Sequence, residues 1–301
     1  TALHLAVNNF DDNETVRLLL DSGADADIKD SNGHTPLILS MNGKGKYFSL
    51  VAEKTTCFNI SDDSGMTPLM FAVENNLISE IGIITRKDCN LNFQNKNKDT
   101  AVHLAVKNDR LDCLKTLSST GADLNIQNYR GETPLLLSIG KRWTDGIILL
   151  IESGVDLEIA NIKGNTPLMR AIERDLLDVA ELLIKKGCNL NSNPPDIRVG
   201  KDYHYSNTNK QTPIHLAVSR KDVNILIPLV KGGADLNIQN SEGKTPLLVS
   251  IQRGNTEALM MLIENGADIN LSDSNKTTPL MTAIQYNNID VAILLIKKGC
   301  E

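Results

Sequence analysis

The sequence is poor in aromatic residues, which make up 4% of its 301 residues and include a single tryptophan, Trp143. Its core therefore has to consist of aliphatic side chains, as is typical of closely packed short helices. No apolar run approaches the roughly 18 residues that indicate a membrane-spanning helix, and no signal peptide opens the chain. We expect a soluble segment that does not insert into a membrane.

The chain also lacks an excess of positive charge and the common motifs of catalysis. Its net charge of −6 and pI near 5.5 argue against a nucleic-acid-binding protein, which usually presents a basic surface. No Ser-His-Asp order, phosphate-binding glycine loop, CxxC pair or zinc motif is present. We expect no enzymatic activity, no metal and no cofactor in these residues.

What the chain does contain is a repeated unit, which Thr245–Thr277 shows most clearly. Thr245 can cap a helix with its hydroxyl, and the proline after it sits at the first helical position, where no backbone donor is lost. The pattern predicts one helix that ends at Gly254 and a second that Asn255 caps and Gly266 ends, followed by a polar hairpin. Because helices of about eight to ten residues are unstable alone in water, neighbouring copies have to stack.

Nine copies of this unit follow one another, and most are 33 residues apart. The threonines that open them are Thr1, Thr35, Thr67, Thr100, Thr133, Thr166, Thr212, Thr245 and Thr278. This period, with openings such as TPIHLA from Thr212 and closings such as GADLN from Gly233, resembles the ankyrin repeat. The resemblance covers the whole chain. It implies an all-α, curved ankyrin-repeat solenoid of helix-turn-helix-hairpin units.

We interpret residues 1–301 as a single array, because every third repeat is most alike and this indicates duplication of a three-repeat block. The interval of 46 residues after Thr166 predicts an inserted hairpin loop at 194–206 within repeat six. Smaller departures are an extra residue near Phe10 and a weakened helical junction at Asn42–Gly45. Pro228 is expected in the middle of a helix, where it would remove a backbone hydrogen bond.

Histidines and cysteines recur at fixed positions of the repeat. His4, His103 and His215 lie three residues after the opening threonine, where the resemblance implies bonds to the threonine hydroxyl and neighbouring backbone rather than a metal site. Cys57, Cys89, Cys188 and Cys300 share a small slot that we expect to be buried, and stacking separates equivalent residues too far for disulfides. With Cys113 they fit a reducing compartment, so we expect a cytoplasmic location.

The variable positions give the sharper functional signal. Eight residues after the opening threonine, four successive repeats carry a cation and the ninth carries a tyrosine: Lys141, Arg174, Arg220, Arg253 and Tyr286. Arg142 and Trp143 follow the first cation, and Tyr129 and Arg130 lie at the hairpin tip that leads into the same repeat. In ankyrin arrays the hairpin tips and first helices line the concave face, so the resemblance implies that these residues bind a partner. Tyr, Trp and Arg are also the residues most enriched at binding hot spots.

Two alternatives stay open. In the first, the cations complement the negative C-terminal ends of first helices, which is a structural role, instead of binding a partner. Tyr203, His204 and Tyr205 in the insertion are either part of a finger that clamps the partner or part of a loop that the fold tolerates.

We therefore predict a non-catalytic protein–protein interaction scaffold that binds a protein or peptide partner, an acidic one if the cations form the site. We expect a monomeric array within a larger chain, without nucleic acid. The alternatives are the ankyrin arm of a membrane channel or pore-forming toxin, and the substrate-recruiting arm of a multidomain enzyme. Apolar spans or a catalytic sequence in the flanking chain would favour one of these.

Overall fold

The computed structural model describes residues 1–9, 13–41, 46–193, 210–220 and 223–300. These residues form eighteen α-helices and no strands, with two helices in each of the nine repeats. The predicted all-α architecture of helix-turn-helix-hairpin units is thus confirmed. The extra residue near Phe10, the Asn42–Gly45 junction and the insertion at 194–206 lie outside the described residues.

The chain divides into two compact units, Thr1–Val155 and Asp156–Glu301. The single array over residues 1–301 stays a prediction. The helices of unit one are α1 (Ala2–Asn9), α2 (Asn13–Asp21), α3 (Pro36–Ser40), α4 (Phe48–Lys54), α5 (Pro68–Glu74), α6 (Ile78–Ile84), α7 (Ala101–Lys107), α8 (Leu111–Ser119), α9 (Pro134–Lys141) and α10 (Thr144–Glu152). The first helices α5, α7 and α9 pack in sequence, as do the second helices α6, α8 and α10.

Unit two repeats the same arrangement. Its helices are α11 (Pro167–Glu173), α12 (Leu177–Lys185), α13 (Pro213–Val218), α14 (Leu226–Lys231), α15 (Pro246–Arg253), α16 (Thr256–Glu264), α17 (Pro279–Gln285) and α18 (Ile289–Lys297). The first helices α11, α13, α15 and α17 pack against one another in order. Each helix is too short to be stable alone, so its buried side must be covered by the neighbouring repeat.

Local chemistry sets the helix ends where the sequence predicts them. The Thr245 hydroxyl accepts the Leu248 N–H at 3.3 Å, and the Asn255 side chain accepts the Ala258 N–H at 3.1 Å. The first helix ends in Gly254 at φ +65°, and Gly266 follows the second at φ +93°. These left-handed conformations cost glycine little, and they let the chain reverse direction within one residue.

The hairpins are held by side-chain oxygens of Asp and Asn. In the hairpin between the first helices of repeats four and five, the Asn128 side-chain oxygen accepts the N–H groups of Arg130 and Glu132 at 2.9 and 3.1 Å. Other hairpin asparagines join consecutive repeats. For example, the Asn237 side chain accepts the Asp268 N–H at 2.8 Å. Each repeat therefore satisfies backbone donors of the next one as well as packing against it.

Pro228 lies inside a helix, as predicted, but the predicted loss of a helical hydrogen bond was wrong. Helix α14 begins at Leu226, which places Pro228 in its first turn, where a backbone N–H would have no partner within the helix. The repeat accommodates proline by shortening this helix to 6 residues, whereas α16 has 9. Helix α14 is therefore about one turn shorter, but proline breaks no hydrogen bond within it.

The prediction that four cysteines are buried holds only in part. Cys188 is buried, but Cys57 is exposed, and Cys89 and Cys300 are half-buried. Burial raises the pKa of the Cys188 thiol to about 12 and that of the Cys113 thiol to about 11. Thiols with such a high pKa are inert at neutral pH, as expected for packing residues.

The exposure of Cys57 follows from the residue before it. In repeat six, Gly187 adopts φ +84° and turns the chain so that Cys188 packs inward. Repeat two has Thr56 at the corresponding position, and the backbone is extended at Thr55, directly after the last residue of α4. In the following segment, Phe58 rather than Cys57 is buried in the core.

Candidate functional site

The recurring histidines tie repeats together. The Thr100 N–H donates to Nδ1 of His103 at 3.2 Å, and the Thr100 hydroxyl lies 2.9 Å from the same nitrogen. Since Nδ1 accepts, the proton is on Nε2, which donates at 3.0 Å to the Glu132 carbonyl in the hairpin that leads into the next repeat. His215 makes the same contacts with Thr212 and the Lys244 carbonyl. These bonds are the ones that the family resemblance implies.

Two of the four predicted cations reach back to the preceding repeat. In unit one, the Lys141 ammonium donates to the Lys107 carbonyl at 2.6 Å and to the Val106 carbonyl at 3.0 Å. It also forms an ion pair with Asp109 at 2.6 Å. Lys141 therefore complements the C-terminal end of α7, a helix of the repeat before its own.

Arg220 makes the equivalent contacts in unit two. Its Nε donates to the Asp175 carboxylate at 2.8 Å, and its guanidinium donates to the Glu173 carbonyl at 3.2 Å, at the end of α11. Asp109 and Asp175 both lie nine residues after their opening threonines and adopt left-handed conformations with φ of 54° and 53°. For Lys141 and Arg220 these contacts favour the structural alternative over partner binding.

The remaining residues at the eighth position after the opening threonine differ from one another. Arg174 follows the last residue of α11, is half-buried and also interacts within the chain. Arg253 is the exposed last residue of α15, and Tyr286 follows α17 with 55% of its surface exposed. Arg253 and Tyr286 line one shared depression.

The aromatic and basic residues around α9 do not form one cluster. Tyr129 and Arg130 lie in the hairpin before the helix, whereas Arg142 and Trp143 follow its last residue. A helix of 8 residues separates the two groups by about 12 Å. Trp143 is half-buried, and its ring lies against Gly146, where an added Cβ would be 2.1 Å from Cε3. It therefore helps to pack the start of α10.

In unit one, the hairpins and first helices of repeats four and five enclose a depression of about 450 Å³. Its floor includes the buried Asp99 carboxylate, which accepts the Asn128 side-chain amide at 3.2 Å and pairs with the Lys107 ammonium. Tyr129, with 73% of its surface exposed, and Arg130 also line it. The charges on the floor satisfy one another, and an aromatic ring stays available to a partner.

In unit two, two depressions of about 510 and 240 Å³ lie at the hairpins and first helices of the last repeats. Residues that line both are Glu242, Lys244, Gln252 and Tyr286. Lys244 and Glu242 form an ion pair at 2.5 Å. Gln252 and its equivalent Gln285 are not among the predicted site residues, although their position directly before the cation row is a usable sequence signal.

Tyr203, His204 and Tyr205 lie outside the described residues. In the part of the chain that the structure describes, no group of His, Cys, Asp and Glu side chains is arranged to hold a metal ion. Over the same residues, no helix is long and apolar enough to cross a membrane.

The sequence matches the family model described as "Ankyrin repeats (3 copies)" over residues 3–95, 58–128, 76–159, 102–194, 197–273 and 214–301. Together these overlapping matches extend over almost the entire chain. None of the curated proteins compared with the chain matches it.

Proposed function

Because the chain belongs to the ankyrin repeat family, whose members are generally protein-interaction modules and typically non-catalytic, we propose that it binds an extended segment of a partner protein. The binding surface is the one that its first helices and hairpins form. The observation that carries this proposal is the position of the depressions. In each unit they lie where hairpins meet first helices, and an exposed tyrosine lines each of them: Tyr129 in unit one and Tyr286 in unit two.

Such a surface suits a partner segment rather than a small molecule. The depressions are open and lined mostly by polar side chains from consecutive repeats, whereas small-molecule sites are enclosed and mostly apolar. Exposed tyrosines bury a large area at a low entropic cost when a partner covers them, which makes them effective anchors. The free thiols of the described residues support the cytoplasmic location that we propose for this binding.

The test is a selection of 12-residue peptides from a display library on the full 301-residue chain, followed by fluorescence anisotropy. We expect Tyr129→Ala or Tyr286→Ala to weaken the selected peptides about tenfold or more, since hot-spot tyrosines contribute at least about 1–2 kcal/mol. Ile148→Ala is the control, because Ile148 is exposed on the second helix α10, away from the hairpins. Equal binding by both tyrosine variants and the wild type would refute the proposal.

An acidic partner is a narrower proposal. Lys141 and Arg220 are already paired within the chain, so fewer of the predicted cations can attract such a partner. Arg130 and Arg253 are exposed and line the depressions, so they are the cations that can attract an acidic segment. Selected peptides enriched in Asp and Glu, with affinity that falls as salt rises, would support this preference. A selection without acidic enrichment would refute it and leave the protein-binding proposal intact.

A further inference from the structure

The last two repeats carry a matched set of unengaged side chains. Gln252 and Arg253 are the last two residues of α15. The equivalent repeat positions are Gln285, the last residue of α17, and Tyr286, which follows it. All four line the depressions of unit two. Among the residues that the structure describes, none of these four side chains has a hydrogen-bond or ion-pair partner.

The equivalent positions of unit one are already engaged in repeats four and five. Lys107 pairs with Asp99, and Lys141 pairs with Asp109 and binds the carbonyls at the end of α7. In unit two, Arg220 is engaged with Asp175 in the same way. The four residues at the ends of α15 and α17 therefore differ from these cations in being available to a ligand.

The charges of this surface leave one cation for a partner. Lys244 pairs with Glu242, and the Asp273 carboxylate accepts the N–H groups of Asn275 and Thr277 at 2.9 Å each. Arg253 has no such partner within the described part of unit two, so an acidic side chain is its natural complement.

The spacing of the repeats selects the conformation of the bound segment. First helices that pack side by side, as α15 and α17 do, are about 8–10 Å apart. A polyproline II segment rises about 3.1 Å per residue with three residues per turn, so residues i and i+3 point the same way about 9 Å apart. A β-strand presents the same face every second residue, at about 6.6–6.8 Å, and does not match this spacing.

We propose that repeats eight and nine bind a polyproline II segment in which an acidic side chain pairs with Arg253 and a proline three residues away packs on Tyr286. Gln252 and Gln285 donate hydrogen bonds to the backbone carbonyls of the segment, which have no internal partners in this conformation. The inference rests on the proposed function and names the ligand class for one of its two surfaces.

The probes are fluorescein-labelled ten-residue peptides with one glutamate and one proline in an alanine-rich background, two, three or four residues apart and in both orders. On the full chain, we expect one order at a spacing of three to bind at least about tenfold tighter than the other spacings. Arg253→Glu should weaken that peptide about tenfold or more, and a peptide with lysine in place of glutamate should restore binding. Tyr286→Ala should weaken both peptides.

Arg17→Glu is the matched control, because Arg17 is an exposed arginine on the second helix α2 and lines none of these depressions. Equal affinity for spacings of two, three and four, or unchanged binding by Arg253→Glu and Tyr286→Ala, would overturn the inference. An equal loss in Arg17→Glu would overturn it as well. If these peptides fail while Tyr129→Ala still abolishes binding of display-selected peptides, the proposed function stands and only this assignment is wrong.

Discussion

Replacing His103 with alanine tests how strongly consecutive repeats depend on one another. His103 is completely buried, and its ring satisfies the Thr100 N–H on one side and the Glu132 carbonyl on the other. Truncation leaves the Thr100 N–H buried without a partner, at a cost of about 1–3 kcal/mol. It also removes one of the two hydrogen bonds to the Glu132 carbonyl, which keeps the Asn128 N–H, at a cost of about 1 kcal/mol, and it adds a small cavity. We expect a total loss of about 3–5 kcal/mol from the free energy of unfolding.

The single tryptophan allows this loss to be located. Trp143 is half-buried at the start of α10 in repeat five, and His103 binds the last carbonyl of the hairpin that leads into this repeat. In urea, His103→Ala should lower the midpoint measured by Trp143 fluorescence by about 1–2 M, taking a slope of about 3 kcal/mol per molar. His215→Ala removes the same contacts in unit two and should lower the midpoint measured by circular dichroism more than the fluorescence midpoint. The reason is that repeat stability depends mainly on nearest neighbours.

A loss below about 1 kcal/mol for His103→Ala, the contribution of one ordinary hydrogen bond, would refute this reasoning. It would mean that water or a rearranged hairpin replaces the ring without cost. Equal shifts of the fluorescence midpoint in the two variants would instead contradict the nearest-neighbour argument.

Three further outcomes are expected. Burial lowers the pKa of His103 and His215 below 6.5, so the unfolded chain binds protons that the folded chain excludes. The free energy of unfolding should therefore be highest above about pH 6.5 and fall as the pH falls below it. The urea midpoints of a His103→Gln/His215→Gln variant should depend less on pH. Native maleimide labelling followed by mass spectrometry should modify the exposed Cys57 first and the buried Cys188 only after unfolding, and the reverse order would contradict the burial pattern. Amide hydrogens should exchange faster in repeats two, three and seven than in repeats four to six, since α13 and α14 have only 6 residues each, and uniform protection would disprove this.

The helix boundaries were predictable because each depends on one residue and its near neighbours. Thr245, Gly254, Asn255 and Gly266 act through a single cap or a left-handed turn, and the structure places all four where the pattern predicts them. Repetition strengthens such predictions, because a signal that is ambiguous in one copy recurs at the same position in the others. The 33-residue period therefore predicts the fold class and the helix pairs without knowledge of any tertiary contact.

The failures have a different origin. Pro228 was assigned to mid-helix because the period was carried over from other repeats, but the chain starts α14 later and so avoids the conflict. Cys57 was assigned to the core by the same transfer, and one change from Gly to Thr before it alters which side chain points inward. Period alone cannot predict these adjustments, because they depend on how a substituted residue changes the local backbone.

The candidate site was the least predictable part, because the role of a cation in one repeat depends on a residue in the repeat before it. Lys141 and Arg220 pair with Asp109 and Asp175, which lie nine residues after the preceding threonine. For Arg253, the sequence has Lys221 at that preceding position, and a like charge provides no such pair. Cations at the eighth position after the opening threonine are therefore ambiguous when that position is considered alone. When the ninth position of the preceding repeat is considered with it, cations that tie repeats together can be distinguished from those that can bind a partner. By this criterion we predict a structural role for Lys141 and Arg220, and charge reversal at Arg253 is the substitution that tests binding without disturbing the contacts between repeats.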